Sequence, residues 1–138
     1  MTQEQKDLLL KDLCARLPYG VKVQIDLQSN IYPPITCKVC NIEFTETEGS
    51  FIEVETSPDT YNEFREFLCK PYLFPLSSMT EEEENEYRGI DNKSYCCPMA
   101  LAHIPASNRI DWMNKHHFDY RGLIPMGLAK DATGLGIY

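Results

Sequence analysis

The segment "HHFDYR", residues 116–121, places two imidazoles, a carboxylate and a guanidinium within six residues. Histidine titrates near neutral pH, and Asp119 could orient the ring of His117. With His116 and Arg121, these residues could carry general acid–base or phosphoester chemistry, or bind a metal ion. No H-E-x-x-H, G-x-S-x-G or phosphate-binding glycine loop accompanies them. A metal-binding or hydrolytic enzyme that uses this cluster is therefore an alternative hypothesis.

The same segment also has an architectural interpretation, and we favour it. The end of a helix carries partial negative charge, which favours Lys115, His116 and His117 at that position. Asp119 and Arg121 could then form a local ion pair or a hydrogen bond that stabilises the following turn. The sequence thus predicts no catalytic residue in this segment.

The segment "CKVC" has the spacing of a zinc knuckle, with Cys37 and Cys40 as ligands. Cys96 or Cys97, together with His103, could complete the site. However, residues three apart in a strand face opposite sides, and adjacent cysteines rarely reach one ion together. Free cysteine is usually a small buried hydrophobe, so we expect reduced thiols, no zinc and no cofactor.

Charge is concentrated in the middle of the chain. The protein has a net charge of −8, and residues 43–91 hold 14 acidic residues against three basic ones. Nucleic-acid binding needs cations that neutralise phosphates, so we expect no direct binding to nucleic acid. An acidic surface could instead bind a basic protein, or imitate DNA and inhibit a DNA-binding enzyme. It could also serve solubility alone.

A partner-binding surface is predicted next to this acidic region. Aromatic and proline residues cluster in "PYLFPL", where Tyr72 and Phe74 could contact a partner protein. The same side chains could equally pack across the sheet. The acidic run Glu81, Glu82, Glu83 and Glu84 could add charge, although the first turn of a helix favours acids without any ligand.

The elements that must position these residues begin with a helix over residues 3–16. Strict alternation predicts a strand over 21–27, and a second strand over 35–44 changes its inward parity near Cys40, which indicates a β-bulge. "FIEVE", residues 51–55, returns as a third strand. Short connections between these strands predict an antiparallel meander.

The second half is predicted to be mainly helical. Ser57 and Pro58 resemble a helix start, and "KPYLFPLSS" should be extended. Thr80 and Glu83 form a capping-box pattern for a short helix that ends near Arg88. Ser107 could cap a helix with Ile110, Met113 and His117 along one side. The tail "DATGLGIY" is expected to be extended or loosely attached.

These elements predict an α+β fold in a single domain over residues 1–138, with helices packed on one face of the sheet. No apolar run is long enough to span a membrane and no secretory signal is present, so we expect a cytoplasmic protein with no membrane contact. The predicted core consists of Val21, Val23, Ile25, Leu27, Ile42, Phe44, Ile52, Val54, Phe64, Phe67, Trp112, Leu123 and Ile124.

Three blocks, "DLCARLPYGVKV", "KPYLFPLSSMTEEE" and "DWMNKHHFDYRGLIPMGLA", together resemble a family of uncharacterised short proteins. That family occurs in Bacteroides-type gut bacteria, often in phage-like or mobile-element neighbourhoods. The resemblance covers about a third of the chain and implies a bacterial or phage protein, but no catalytic residue. Family members often carry a basic residue where this chain has Phe74, so a charged contact there would be replaced by an apolar one.

The leading functional hypothesis is a non-enzymatic interaction or regulatory protein. Its partner would be a protein, bound through the acidic middle segment and residues 72–76. The alternatives are the histidine-cluster enzyme and the DNA mimic. The sequence indicates neither the identity of the partner nor the oligomeric state.

Overall fold

The structure is a computed structural model, and it describes residues 1–27, 33–45, 49–90 and 104–138. A six-stranded sheet has the order β4-β3-β2-β1-β5-β6 and is antiparallel except between β5 and β6. The fold is α+β, which confirms the predicted class. Its elements are α1 (Gln3–Arg16), β1 (Lys22–Ile25), β2 (Ile35–Thr45), β3 (Gly49–Ser57), β4 (Thr60–Arg65), β5 (Cys69–Leu73), α2 (Glu81–Gly89), α3 (Ile104–Lys115) and β6 (Lys130–Asp131).

Helix α1 has the predicted bounds, and local hydrogen bonds explain where it begins. The Thr2 hydroxyl accepts from the backbone N–H of Gln5, whose side chain in turn accepts from the backbone N–H of Thr2. This capping box satisfies two amides that the first turn leaves unpaired. The helix is followed by a 3₁₀ turn over Leu17–Tyr19, and Gly20 then turns the chain with φ +70°.

The main core lies between α1 and the inner face of the sheet. Leu9 and Leu13 of α1 are fully buried against alternate residues of the strands. Burying each large aliphatic side chain stabilises the fold by about 1.5–3 kcal/mol. The buried members of this core are Leu9, Leu13, Val21, Val23, Ile25, Cys37, Val39, Ile52, Val54 and Cys69.

The predicted bulge in β2 is confirmed. The pairing of β2 with β3 shifts between Val39 and Asn41, so that Cys40 is the extra residue. Cys37 and Val39 face inward before the bulge, and Ile42 packs against the same core after it. The bulge therefore keeps apolar side chains on one face across the whole strand.

Three predicted core residues are exposed, which corrects the prediction. Phe44 is 62% exposed at the end of β2, where its neighbour on β3 is Ser50 instead of an apolar residue. Leu27 lies two residues past the end of β1, and Phe67 lies in the 3₁₀ turn over Glu66–Leu68. Ile42, Phe64 and Ile124 are only partly buried. The sequence pattern selected these side chains as apolar positions of a periodic element, but it did not show what covers them.

The helix predicted to begin at Ser57 is wrong, because this segment forms the β3–β4 hairpin. Strand β3 continues to Ser57, the chain turns at Pro58 and Asp59, and β4 runs back antiparallel. Asp59 has a φ of +60°, which aspartate tolerates in turns. Serine and proline start turns as readily as helices, and pairing with β3 selects the strand.

The C-terminal third packs against β5 and around α3. Leu73 of β5 and Leu123 are both fully buried in a second apolar cluster, and Trp112 stacks on Phe118 with ring centroids 5.6 Å apart in a third. Trp112 and Leu123 thus confirm the prediction. Ser107 lies inside α3, which begins at Ile104, so it is not the predicted cap.

Further C-terminal predictions have mixed outcomes. Ile110 is 46% exposed, and His117 follows the end of α3 with a φ of +58°. Of the three residues predicted along one side of this helix, only Met113 is both helical and buried. The capping box of α2, formed by Thr80 and Glu83, is confirmed.

Within the described residues, no helix has the length and apolar character needed to cross a membrane.

The tail was predicted to be extended or loosely attached; Asp131 lies in β6 and hydrogen bonds attach the tail, so only loose attachment is wrong. The backbone N–H of Ala132 donates to the carbonyl of Leu73 over 2.9 Å. The Tyr138 hydroxyl accepts from the backbone N–H of Lys22 and donates to the carbonyl of Tyr72. Tyr138 therefore bridges β1 and β5 where direct pairing between these strands has ended.

Candidate functional site

A fully buried ion pair links two positions one turn apart in α1. The guanidinium of Arg16 donates to both carboxylate oxygens of Asp12, over 2.8 and 3.0 Å. Arg121 adds a third charge, with Nη1 2.7 Å from Asp12 Oδ1. One carboxylate therefore compensates two guanidinium groups, and two-pronged pairing of this kind is the strongest geometry for such groups.

The guanidinium of Arg16 also connects α1 to the residues around the end of α3. It donates to the carbonyl of Phe118 over 2.7 Å and to the carbonyl of Met113 over 3.4 Å. Because Asp12 is shared between Arg16 and Arg121, these carbonyls help to compensate the positive charge of Arg16. The cluster therefore holds two distant segments together, which is an architectural role.

His117 is buried beside this cluster, with 5% of its surface exposed. Its ring stacks on Tyr138 with centroids 3.8 Å apart. Burial, followed by the charge of Arg16, lowers the pKa of His117 to about 4. The ring makes a hydrogen bond with the backbone of Tyr19, and Nδ1 has no partner among the described residues. His117 is therefore neutral at pH 7.

Asp119 and Arg121 do not assemble with His117 as the catalytic alternative requires. The carboxylate of Asp119 accepts from the backbone amides of Leu123 and Ile124, each over 2.8 Å, and so stabilises the following turn. Arg121 pairs with Asp12 of α1, so the predicted local pair with Asp119 is replaced by a long-range one. This arrangement supports the architectural interpretation of the segment.

His116 does not take part in the contacts of Asp119 and Arg121. Its ring stacks on Trp112 with centroids 4.1 Å apart. The two adjacent imidazoles thus contact different aromatic rings, Trp112 for His116 and Tyr138 for His117. The described residues do not bring them together around one ion.

The two cysteines of "CKVC" face different environments. Cys37 is buried in the main core, whereas Cys40 occupies the bulge and is exposed. Burial raises the pKa of the Cys37 thiol, and it raises that of Cys69 to about 12. Among the described residues, no three histidine, cysteine or acidic side chains are grouped so as to hold a metal ion. Cys96, Cys97 and His103 lie outside the described residues.

Of the predicted contact residues, Tyr72 is buried and Phe74 is partly buried. Tyr72 is 6% exposed, and its hydroxyl is 3.2 Å from the Thr36 hydroxyl. The Phe74 ring packs near those of Phe118 and Tyr138. Burial in β5 leaves Tyr72 little surface for a partner, so the structure favours the alternative that it packs across the sheet, and its role as a contact residue stays a prediction.

The acidic run, in contrast, lies at the surface. Glu81, Glu82 and Glu84 are exposed and Glu83 is partly buried, all in the first turn of α2. Glu83 caps the helix, and Glu84 pairs with Arg88. These contacts account for two of the four acids through the helix itself, without a partner.

A second acidic surface lies on the outer face of the β3–β4 hairpin. Glu53 and Glu63 stand directly opposite each other, and Glu55 stands opposite Tyr61. Because Ile52 and Val54 face the core, these side chains face away from it. We call Glu53, Glu55, Tyr61 and Glu63 the acidic edge, because β4 is the last strand of the sheet.

One pair within the acidic edge, Glu53 and Glu63, is electrostatically unfavourable for the isolated protein, whereas Glu55 also stands opposite Lys38 of β2. Like charges directly opposite on a sheet destabilise it. No lysine or arginine within the described ranges forms an ion pair with Glu53 or Glu63. Arg65 on the same strand lies over the Phe51 ring, 4.6 Å from its centroid. The two carboxylates therefore remain available to a cation from outside.

The sequence interpretation missed this surface because it placed Glu63 on a helix. No clear period-two signal marks this strand, because the outward set includes the aromatic Tyr61 and the inward set includes the polar Asn62. Asn62 and Phe64 stand opposite the buried Val54 and Ile52. The strand and the outward direction of Glu63 therefore follow from the pairing with β3, which a local pattern does not show.

Comparison with protein-family models, with curated proteins and with solved structures finds no match to this chain. The resemblance to short bacterial and phage proteins therefore stays a prediction. Function must be inferred from the surfaces of the chain itself.

Proposed function

We propose that this protein is a non-enzymatic interaction module that binds a basic, extended segment of a partner protein along the acidic edge. The observation that carries the proposal is the direct opposition of Glu53 and Glu63 on the outer face of the hairpin. The single positive charge of a bound lysine or arginine would lie between both carboxylates and offset their mutual repulsion. Binding would thereby remove a repulsion that the isolated protein retains.

The position of β4 supports an extended partner. An edge strand presents backbone N–H and C=O groups that an incoming strand can pair with. No strand of the described residues lies beyond β4. Thr60, Tyr61, Asn62 and Glu63 are all exposed. Backbone pairing would supply affinity, and the carboxylates would select basic side chains.

Tyr61 adds a contact of a different kind. Its side chain is 52% exposed and stands opposite Glu55 on the same outer face. Tyrosine is enriched in protein interfaces, and its ring can stack on a guanidinium or cover the stem of a lysine. The acidic edge thus combines charge with one aromatic contact, as the recognition of a basic segment requires.

The experiment measures binding of a labelled short peptide of alternating lysine and valine by fluorescence anisotropy. The double variant Glu53→Gln/Glu63→Gln should weaken binding at least about tenfold, because charge-assisted contacts are lost. The matched control, Glu82→Gln/Glu86→Gln, removes the same charge from α2 and should change affinity little. Added salt should weaken binding to the unchanged protein.

Two results would contradict this function. If both double variants weaken binding equally, only the overall negative charge attracts the peptide. If a peptide N-methylated at alternate amides binds as well as the original, no strand is added to β4. The acids would then serve to keep an exposed edge from aggregating, which is a common use of charge on edge strands.

The enzymatic and DNA-mimic alternatives stay predictions that no contact of the described residues favours. His117, Asp119 and Arg121 are engaged in packing and in hydrogen bonds to other segments. A DNA mimic needs a long double row of phosphate-like charges, whereas the two opposed carboxylates suit a single bound cation. For these reasons the basic peptide segment is the proposed ligand.

A further inference from the structure

A groove of about 720 Å³ lies on a part of the molecule that shares no residue with the acidic edge. Its walls come from the start of α1, from the 3₁₀ turn that follows β4 and from the loop over residues 126–128. Pockets for small organic ligands typically measure roughly 300–1,000 Å³. The groove therefore has the size of a small-molecule site.

One wall of the groove contains a buried carboxylate whose hydrogen bonding is incomplete. The Glu66 side chain is 5% exposed, and its Oε1 lies 2.7 Å from Lys6 Nζ. Its Oε2 is also buried and has no hydrogen-bond partner within the described ranges. Buried carboxylate oxygens are nearly always satisfied in folded proteins, so Oε2 requires a donor.

The groove also has an exposed apolar wall. Phe67 is 49% exposed and Met126 is 41% exposed, and both line the groove together with the buried Leu128. A flexible methionine beside an aromatic ring adapts to apolar groups of different shapes. This wall would accept the apolar part of a ligand.

The charges of the lining limit the ligand further. Lys6 and Lys70 oppose the single carboxylate of Glu66, so the lining has an excess of positive charge. A simple cation would satisfy Glu66 but meet this excess, whereas a simple anion would leave Oε2 without a donor. A zwitterion avoids both costs, because it supplies a donor and an anionic group together.

We propose that this groove binds a small amphipathic zwitterion of the amino-acid class. The ammonium group donates to Glu66 Oε2, the carboxylate lies near Lys70, and the apolar side chain packs on Phe67. Oε2 is closed off from solvent in the unliganded groove, so the ammonium group reaches it only when the Lys6 side chain, which is 26% exposed, moves aside. The ligand thus completes the hydrogen bonding of a carboxylate that the protein leaves incomplete.

The test titrates the full chain with phenylalanine and follows binding by calorimetry and by saturation-transfer NMR. Two analogues separate the contributions: phenethylamine lacks the carboxylate, and phenylacetate lacks the ammonium group. Phenylalanine should bind at least about tenfold more tightly than either analogue. Leucine is titrated in the same way. The proposal is overturned if neither amino acid saturates a site, or if either analogue binds as tightly as phenylalanine.

Variants then locate the site. Glu66→Gln should weaken phenylalanine binding about 10- to 100-fold, because a hydrogen bond to a charged group is lost. Phe67→Ala removes an exposed ring and leaves the fold intact, so it tests the groove even where Glu66→Gln unfolds the protein. Phe44→Ala removes another exposed ring as the matched control. Equal effects of the two alanine variants would place the ligand elsewhere and overturn the assignment.

Discussion

Two groups of charged side chains in this protein contrast in burial and in pairing. Asp12, Arg16 and Arg121 form a buried cluster in which every charge has a partner within 3.0 Å. Glu53 and Glu63 of the acidic edge stand opposite each other on the outer face of the sheet and have no cationic partner among the described residues. The first group supports the fold, whereas the second keeps two carboxylates unpaired, and we propose that a partner binds them.

The contrast also shows that the residue types of a motif do not by themselves indicate a functional site. The "HHFDYR" segment has the residue types of a catalytic site, yet packing and backbone hydrogen bonds use its side chains. The acids of the β3–β4 hairpin form no recognisable motif, but their contacts are incomplete. Incomplete contacts indicate function better than residue type does, and the following predictions test that view.

The largest expected effect comes from breaking the buried cluster. Asp12→Ala should lower the free energy of unfolding by about 3–5 kcal/mol, because Arg16 would stay buried without its counter-ion. Urea denaturation followed by circular dichroism measures this change. Lys11→Ala removes an exposed charge from the same helix and should stay within about 0.5 kcal/mol. Similar losses for both variants would show that the cluster does not support the fold.

A smaller effect concerns pH. The pKa of His117 lies near 4 in the folded protein, below the ordinary value of 6.5. As pH falls through this range, the unfolded chain takes up a proton at His117 that the folded chain excludes. Stability is therefore full above pH 6.5 and should fall by up to about 1.4 kcal/mol per pH unit as the pH approaches 4.

His117→Phe isolates this contribution. Phenylalanine keeps a ring against Tyr138 but cannot titrate. The variant should show a shallower decline in the free energy of unfolding between about pH 6.5 and 5 than the unchanged protein. Parallel curves for the two proteins would contradict the neutral, buried state of His117.

The tail contact should contribute less. Tyr138→Phe keeps the stacking on His117 but removes the hydroxyl that bridges Lys22 and Tyr72. We expect a loss of about 1 kcal/mol, measured by thermal or urea unfolding. Tyr61→Phe, which changes an exposed tyrosine, serves as the control. A loose tail would make the two variants indistinguishable.

The smallest change should have the opposite sign. Glu63→Gln removes the repulsion from Glu53 and should stabilise the protein by about 0.5 kcal/mol, while weakening its binding to the basic peptide. Glu86→Gln lowers the charge equally on α2 and should do neither. Destabilisation by Glu63→Gln would show that this carboxylate has a stabilising partner in the isolated protein, which would remove the basis of the contrast.

Elements with strong local signals were predicted well. Helix α1 follows from the helical period of its leucines, the capping box of α2 from side chains three residues apart, and β1 from strict alternation. The bulge at Cys40 was readable because apolar parity changes there. In each case the determining contacts lie within a few residues, so a linear pattern contains them.

Predictions failed where distant contacts decide. The segment after Ser57 has helix-start residues, but its pairing with β3 makes it a strand. Phe44 alternates like a core residue, yet it is exposed beside Ser50. Tyr72 could contact a partner or pack across the sheet, and the position of β5 between β1 and β6 buries it. Neither a strand partner nor a covering layer can be read from a local pattern.

The amino-acid pattern was sufficient to establish an α+β chain with an acidic middle and no motif for a named reaction, because composition, periodicity and capping are local properties. The pairing of Asp12 with Arg121, across 109 positions, and the opposition of Glu53 to Glu63 arise only when the chain is folded. Coulomb and hydrogen-bond energies depend on distance in space, and folding sets that distance independently of separation along the chain. Folding therefore divides these charges into those that are paired within the structure and those to which we propose a partner binds.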